Sequence, residues 1–108
     1  MKRGDLVTVA TGSGFGSKPR PALVIQSDDF SGSTVTLALI TSDVTPEETF
    51  RPRITPTGRN GLVRTSDVMV DMLTTARRDK IGVVIGELSG DDIGRVERAL
   101  LIFLGMAG

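Results

Sequence analysis

Along the chain, apolar residues gather in short runs separated by glycine, proline and polar clusters, the pattern of a β protein. Leu6-Val7-Thr8-Val9-Ala10 is apolar and β-branched, with Gly4-Asp5 before it and Thr11-Gly12-Ser13-Gly14 after it. It predicts a first strand entering a loop that lasts to about Pro21. Ala22-Leu23-Val24-Ile25-Gln26, bounded by Pro21 and by Ser27-Asp28-Asp29, predicts a buried second strand, and Thr34 to Thr41 a third. From Ser42 to Thr49 the chain is polar and acidic around Pro46. Pro52 and Pro56 then make the next stretch an edge strand or an irregular loop, because proline cannot donate to a ladder.

Asn60-Gly61 suits a hairpin turn. Leu62-Val63-Arg64 and Val68-Met69-Val70 then read as short strands on either side of a polar break at Thr65 to Asp67, and Met72 to Ala76 as another. Ile81 to Leu88, carrying Gly82 and Gly86, predicts a last strand whose glycines permit a bend or close backbone approach. The period then changes. Ser89 is placed as an N-cap ahead of the acidic first turn Asp91-Asp92. Ile93, Val96, Leu100 and Phe103 recur at helical spacing, predicting a helix over Asp91 to Leu104 with Phe103 in its core and Gly105 as its stop. Six or seven short strands and one terminal helix predict a mainly β architecture, a small curved sheet or barrel. With 108 residues and neither repeat nor linker, one domain over 1–108 is expected.

Composition narrows the chemistry. Lys and Arg number 13 and so do Asp and Glu, so any surface that attracts anions must be local. Cys is absent, which excludes disulfides, thiolate metal sites and cysteine nucleophiles. His, Tyr and Trp are absent too, which excludes a Ser-His-Asp triad, imidazole acid/base catalysis and a His-ligated metal. Catalysis, if present, falls to arginine, lysine, carboxylates, hydroxyls and backbone amides, with no metal or cofactor expected. No run approaches the roughly 18 apolar residues of a membrane span, and the opening Met-Lys-Arg-Gly-Asp lacks a secretory pattern. The expected location is the cytoplasm.

The glycine-rich stretch Gly12-Ser13-Gly14-Phe15-Gly16-Ser17-Lys18 fails the phosphate-loop pattern, because Pro19 stands where Ser or Thr is required. It fits a loop between strands, or a flap over a groove with Lys18 and Arg20 at its exit. Arg20 precedes Pro21, which restricts it to extended backbone. A guanidinium so placed suits two parallel bonds to a phosphate, although a solvated arginine is the default. Thr41 and Ser42 end the third strand at a rim, suited to a substrate or merely to a turn. Asp71 is a candidate partner for an arginine, or a solvated carboxylate. Arg51, Arg53, Arg59 and Arg64 fall in a stretch, residues 51–64, without an acidic residue. Such a stretch fits a nucleic-acid backbone, an acidic protein tail or a solvated edge. Among four phenylalanines, Phe15 alone has the setting of a stacking platform, and a loop anchor fits it as well.

Several of these segments together carry a resemblance. Lys2-Arg3-Gly4-Asp5-Leu6-Val7 followed by Arg20-Pro21-Ala22-Leu23-Val24-Ile25-Gln26-Ser27-Asp28 resembles the opening of the MazF/PemK toxins. Ala38-Leu39-Ile40-Thr41-Ser42 resembles that family's strand ending in threonine, Gly61-Leu62 to Asp71 its middle hairpin, and Ile85-Gly86-Glu87-Leu88-Ser89 its approach to the last helix. The resemblance implies an SH3-like barrel with a C-terminal helix, a homodimer with an RNA groove at its interface, and an antitoxin partner whose acidic tail fills that groove. It implies metal-independent cleavage of single-stranded RNA, the 2′-hydroxyl attacking its own phosphate to leave a cyclic phosphate and a 5′-hydroxyl.

On matching positions the resemblance makes Arg20, Thr41 and Asp71 catalytic. Arg20 would stabilise the phosphorane or donate the leaving-group proton, Thr41 would orient the phosphate, and Asp71 would assist as a base. Phe15, Lys18, Ser42, Arg51, Arg53 and Arg64 are the expected RNA contacts. Where some relatives carry an arginine two residues before the aspartate this chain has Met69, which leaves Lys18 or Arg64 to compensate. The same fold group holds CcdB, which binds DNA gyrase and cuts nothing. That relative relies on a C-terminal tryptophan, and this chain ends Leu104-Gly105-Met106-Ala107-Gly108. A barrel that only binds RNA or antitoxin is the third reading.

Overall fold

A computed structural model of the chain describes residues 1–10, 18–46 and 50–107; Phe15, the expected stacking platform, lies outside them. Six strands and a helix follow one another: β1 (Asp5–Ala10), β2 (Pro19–Val24), β3 (Thr34–Thr41), β4 (Arg53–Ile54), β5 (Ser66–Arg77), β6 (Ile81–Glu87) and α1 (Gly90–Phe103). They form one antiparallel sheet in the order β4-β5-β3-β2-β1-β6. The sheet curls into a half-barrel. Its two edges approach through the segment after β4, where the Glu87 amide donates to the Arg59 carbonyl at 3.0 Å.

The curl has a local cause in β5. Val68 pairs with Ile40 and Leu73 with Ala38, so four residues of β5, from Met69 to Met72, stand where β3 has only Leu39. A bulge of that size bends its strand and strengthens the twist. It also merges two predicted strands into one, since the pairing with β3 resumes on the far side.

Strand alternation sends side chains to two faces. Leu6, Leu23, Ala38, Ile40, Val68 and Val70 point toward α1 and form the main core with Val96 and Leu88. Val7, Val9, Ala22, Val24, Val35 and Leu37 pack together on the opposite face. The helix is docked by Val96, with Ile93, Ala99 and Leu100 packed beside it. Its N-cap is Ser89, whose hydroxyl accepts from the Asp92 amide at 3.2 Å. Gly105, at φ 73°, ends it. Gly82 and Gly86 allow the close approaches expected of them: an added Cβ would strike the Thr8 side chain at the first and the backbone of Arg59 and Asn60 at the second.

Four local expectations are corrected. The second strand starts at Pro19 rather than Ala22 and ends at Val24, because β1 pairs along its whole length while the ladder to β3 begins only at Ala22. Leu62-Val63-Arg64 is not a strand: the buried Asn60 side chain organises a loop there, accepting from the Thr57 and Leu62 amides at 3.0 Å each and donating to the Thr55 carbonyl at 2.9 Å. The supposed polar break contains the first residues of β5, since Ser66 and Asp67 are buried with partners for their polar atoms. Phe103 lies past the core, 47% exposed, and stacks on Phe50 with ring centroids 5.8 Å apart.

Candidate functional site

The site grows from one cross-strand row. Arg20 lies opposite Val9 in the β1–β2 ladder, and its side chain is exposed. β2 and β3 pair at Ala22–Leu39, Leu23–Ala38 and Val24–Leu37. Arg20 lies two residues before Ala22 in β2 and Thr41 two residues after Leu39 in β3, so both stand at the same end of this ladder, just beyond its last pair. Thr41 in turn pairs with Asp67 of β5, and Asp67 with Arg53 of β4. Directly opposed residues share a face, with Cβ atoms about 5 Å apart. Thr41, Asp67 and Arg53 therefore form a line across the end of the sheet, on the face of Ala22 and Leu37 rather than the face of α1, and strand alternation puts Arg20 on that face at the same end.

The hydroxyl of Thr41 accepts from the Asp43 amide at 3.0 Å, which fixes the turn leaving β3 and leaves the hydroxyl proton to be donated. Ser42 is exposed next to it, and Lys18 is exposed immediately before β2. Arg64 is exposed in the loop ahead of β5. Lys18, Arg20 and Arg64 form no ion pair with the described residues.

The arginine-rich stretch is less cationic than its sequence implies, because the fold brings carboxylates to it. Arg51 donates through Nε and Nη2 to the two oxygens of Asp71, at 2.8 and 2.7 Å. Arg53 makes the same fork to Asp67, at 2.9 and 3.2 Å, and Arg59 pairs with Glu87 at 2.9 Å. Asp71 stands in the β5 bulge, which turns it toward the segment before β4. The bonds from Arg51 hold its carboxyl below the ordinary aspartate range, against the opposing effect of partial burial. They raise the Arg51 guanidinium correspondingly. Both groups are thus charged at neutral pH.

A groove beside this strap is lined by Phe50, Arg51, Pro52 and Arg53 on one side and by Arg95, Arg98 and Ile102 of α1 on the other. Arg95 crosses it, donating to the Arg53 carbonyl at 2.9 Å. Among the described residues no group of three or more acidic side chains is placed to hold a metal ion, and no helix is long and apolar enough to cross a membrane.

The structure therefore puts Arg20, Thr41 and Ser42 at one end of the sheet and pairs Arg51 with Asp71. Asp67 was missed. The strict alternation Asp67, Val68, Met69, Val70, Asp71 was the available signal, since it places both aspartates opposite the two core valines.

A curled antiparallel sheet braced by one terminal helix, with an arginine and hydroxyls at the rim and no imidazole anywhere, defines a class of small barrel proteins equipped for anionic ligands. The family model of the PemK-like, MazF-like toxins of type II toxin–antitoxin systems matches residues 2–104, and the chain belongs to that family. It is 41% identical over 109 residues, the full length of both, to a protein of Mycolicibacterium smegmatis named a probable endoribonuclease MazF. The fold is shared with solved structures. An endoribonuclease in complex with its cognate antitoxin from a Mycobacterial species superposes with a TM-score of 0.79 at 20% identity, covering 100% of this chain and 96% of that one. The Mycobacterium tuberculosis toxin MazF-mt6 does so with a TM-score of 0.77 at 22% identity, covering 95% and 99%.

Proposed function

We propose that this chain is a single-domain toxin that acts in the cytoplasm as a homodimeric endoribonuclease, cutting single-stranded RNA without metal or cofactor and held in check by an antitoxin with an acidic segment. The observation that supports the reading is the placement of the exposed Arg20 and of Thr41 on one face at the same end of the β2–β3 ladder. The relative from Mycolicibacterium smegmatis supports it, named as it is for endoribonuclease activity.

The chemistry follows from what the rim offers. The RNA 2′-hydroxyl, giving its proton to solvent, attacks the adjacent phosphorus; the bond to the 5′-oxygen of the next nucleotide breaks, that oxygen takes a proton from Arg20 or solvent to leave as a hydroxyl, and a cyclic phosphate forms. Charge accumulates on the non-bridging oxygens, and fixed donors aimed at them lower the barrier. Arg20 supplies a permanent positive charge, and its fork matches two oxygens of a phosphate. Thr41 donates its remaining proton to the same group and orients it.

Asp71 is ionised, but two bonds from Arg51 weaken it as a base, whose best pKa lies near the working pH. Its contribution is to hold the Arg51 charge beside the groove, in place of the arginine absent at Met69. Lys18, Ser42, Arg51 and Arg64, with Phe15, bind the flanking nucleotides, and Arg53 borders them. The same cations receive the acidic antitoxin segment, which competes with RNA.

The test is incubation of the purified protein in EDTA with a mixed single-stranded RNA, followed by mapping of both ends. Cleavage leaving cyclic phosphate and 5′-hydroxyl termini is expected, and Arg20→Ala should lower the rate by about 10²- to 10³-fold, the usual loss for one charge-stabilising donor. Full activity in that variant would remove Arg20 from the mechanism. An intact wild-type protein that cuts no RNA would favour a barrel that only binds its partner.

A further inference from the structure

We infer that Asp67 and Arg53 form a positioning pair that holds the Thr41–Ser42 rim in its reactive arrangement. This rests on the reading of Thr41 as the phosphate-orienting hydroxyl.

Three observations converge on the pair. Asp67 is 2% exposed, so its carboxylate does not meet substrate. It is also the residue directly opposite Thr41, which makes it the backbone on which Thr41 is registered. Arg53 then closes the structure from the other side. Its guanidinium makes the fork to Asp67 and, through the same Nη2, donates to the Thr45 carbonyl at 2.6 Å.

The turn that leaves β3 is therefore tied at both ends. At its start the Thr41 hydroxyl accepts from the Asp43 amide, and four residues beyond Thr41 its Thr45 carbonyl is bound by Arg53. The backbone of Arg53 is itself held by Arg95 of α1 at 2.9 Å, and the neighbouring Pro52 carbonyl by the Val68 amide at 2.9 Å. The chain of contacts runs from the helix through β4 and a buried carboxylate to the rim hydroxyls.

A buried ion pair is weak evidence of a role in stability, because desolvation offsets most of the attraction. A bidentate fork, however, fixes orientation, and a rim displaced by about 1 Å is enough to slow a reaction by about a hundredfold. Arg53 thus acts through Asp67 and the turn rather than as an RNA contact.

The test compares wild type with Asp67→Asn, Arg53→Met and Arg53→Lys, after thermal unfolding has shown that each is folded at the assay temperature. Three quantities are measured: the single-turnover cleavage rate on a short RNA, the affinity and salt dependence for an uncleavable 2′-deoxy analogue, and hydrogen exchange of the Asp43 amide. Positioning predicts a cleavage rate at least tenfold lower in Asp67→Asn and Arg53→Met, analogue affinity within about threefold, and partial recovery in Arg53→Lys. It predicts faster exchange at Asp43 with exchange in β1 unchanged. If the rate and the Asp43 exchange both stay at wild-type values, the inference is overturned. It is also overturned if Arg53→Met weakens the analogue strongly and lowers its salt slope by the roughly 0.7 expected for one lost single-strand phosphate contact, since Arg53 would then touch RNA directly. A wild-type protein that fails to cleave sinks the ribonuclease reading alone, and the Asp43 exchange still decides whether the pair orders the turn.

Discussion

The aspartate in the β5 bulge shows how one contact changes what a residue can do. Asp71 is held by a fork from Arg51, which lowers its pKa against the opposing effect of burial. A carboxyl whose folded pKa lies below its unfolded value stabilises the fold above the unfolded pKa of about 3.9, and loses that contribution as pH falls through the folded value. Urea midpoints of wild type and Asp71→Asn should therefore differ at pH 7 and converge as pH is lowered below about 4. A difference that persists unchanged at pH 3 would show that ionisation of Asp71 is not what Arg51 stabilises. Because both partners are charged across the neutral range, this pair adds no pH dependence to cleavage between about pH 6 and 8.

At the scale of elements, the helix start and the loop after β4 are the most legible devices and the easiest to break. Ser89 caps α1 through the Asp92 amide, and Ser89→Ala should cost about 1 kcal/mol in urea unfolding, while Ser89→Gly should cost only a few tenths. Gly61 sits at φ 70°, and an added Cβ there would meet the carbonyl of Ile85. Gly61→Ala should therefore destabilise by more than about 1 kcal/mol, through backbone strain and that clash together. An unchanged urea midpoint would mean that the loop joining the two sheet edges yields freely. The strand and helix patterns themselves were readable because each has one buried face. The loop at Leu62 to Arg64 was not, because its conformation comes from a buried asparagine, which leaves no periodic trace.

For the whole molecule, the end of α1 carries more apolar surface than a small monomer ordinarily leaves bare. Leu101, Ile102, Phe103, Leu104 and Met106 are between 43% and 72% exposed, and Phe50 stacks on Phe103 at their edge. A contiguous face of this kind marks a contact with another protein, and the proposed homodimer would supply one. Ile102→Glu should shift the protein toward monomer in analytical ultracentrifugation and lower cleavage in parallel. A variant that remains dimeric and fully active would place the interface elsewhere. The net charge of zero also means that RNA is drawn by a few local cations, since much of the arginine stretch is tied to carboxylates.

By itself, the sequence determined that the chain is a β protein closed by one helix, that the helix follows a cap at Ser89, and that any catalysis dispenses with imidazole and thiol. These are properties of periodicity, of caps and of residue inventory, all of which act over a few neighbouring positions. The opening segments through Asp28 also carried the family resemblance. Only the tertiary structure decided which arginines are neutralised, that Asp67 is buried beneath the rim, and that Thr41 stands opposite it. Those facts depend on strand order and on the bulge that rolls the sheet, which join residues 14 or more positions apart through register rather than through local preference.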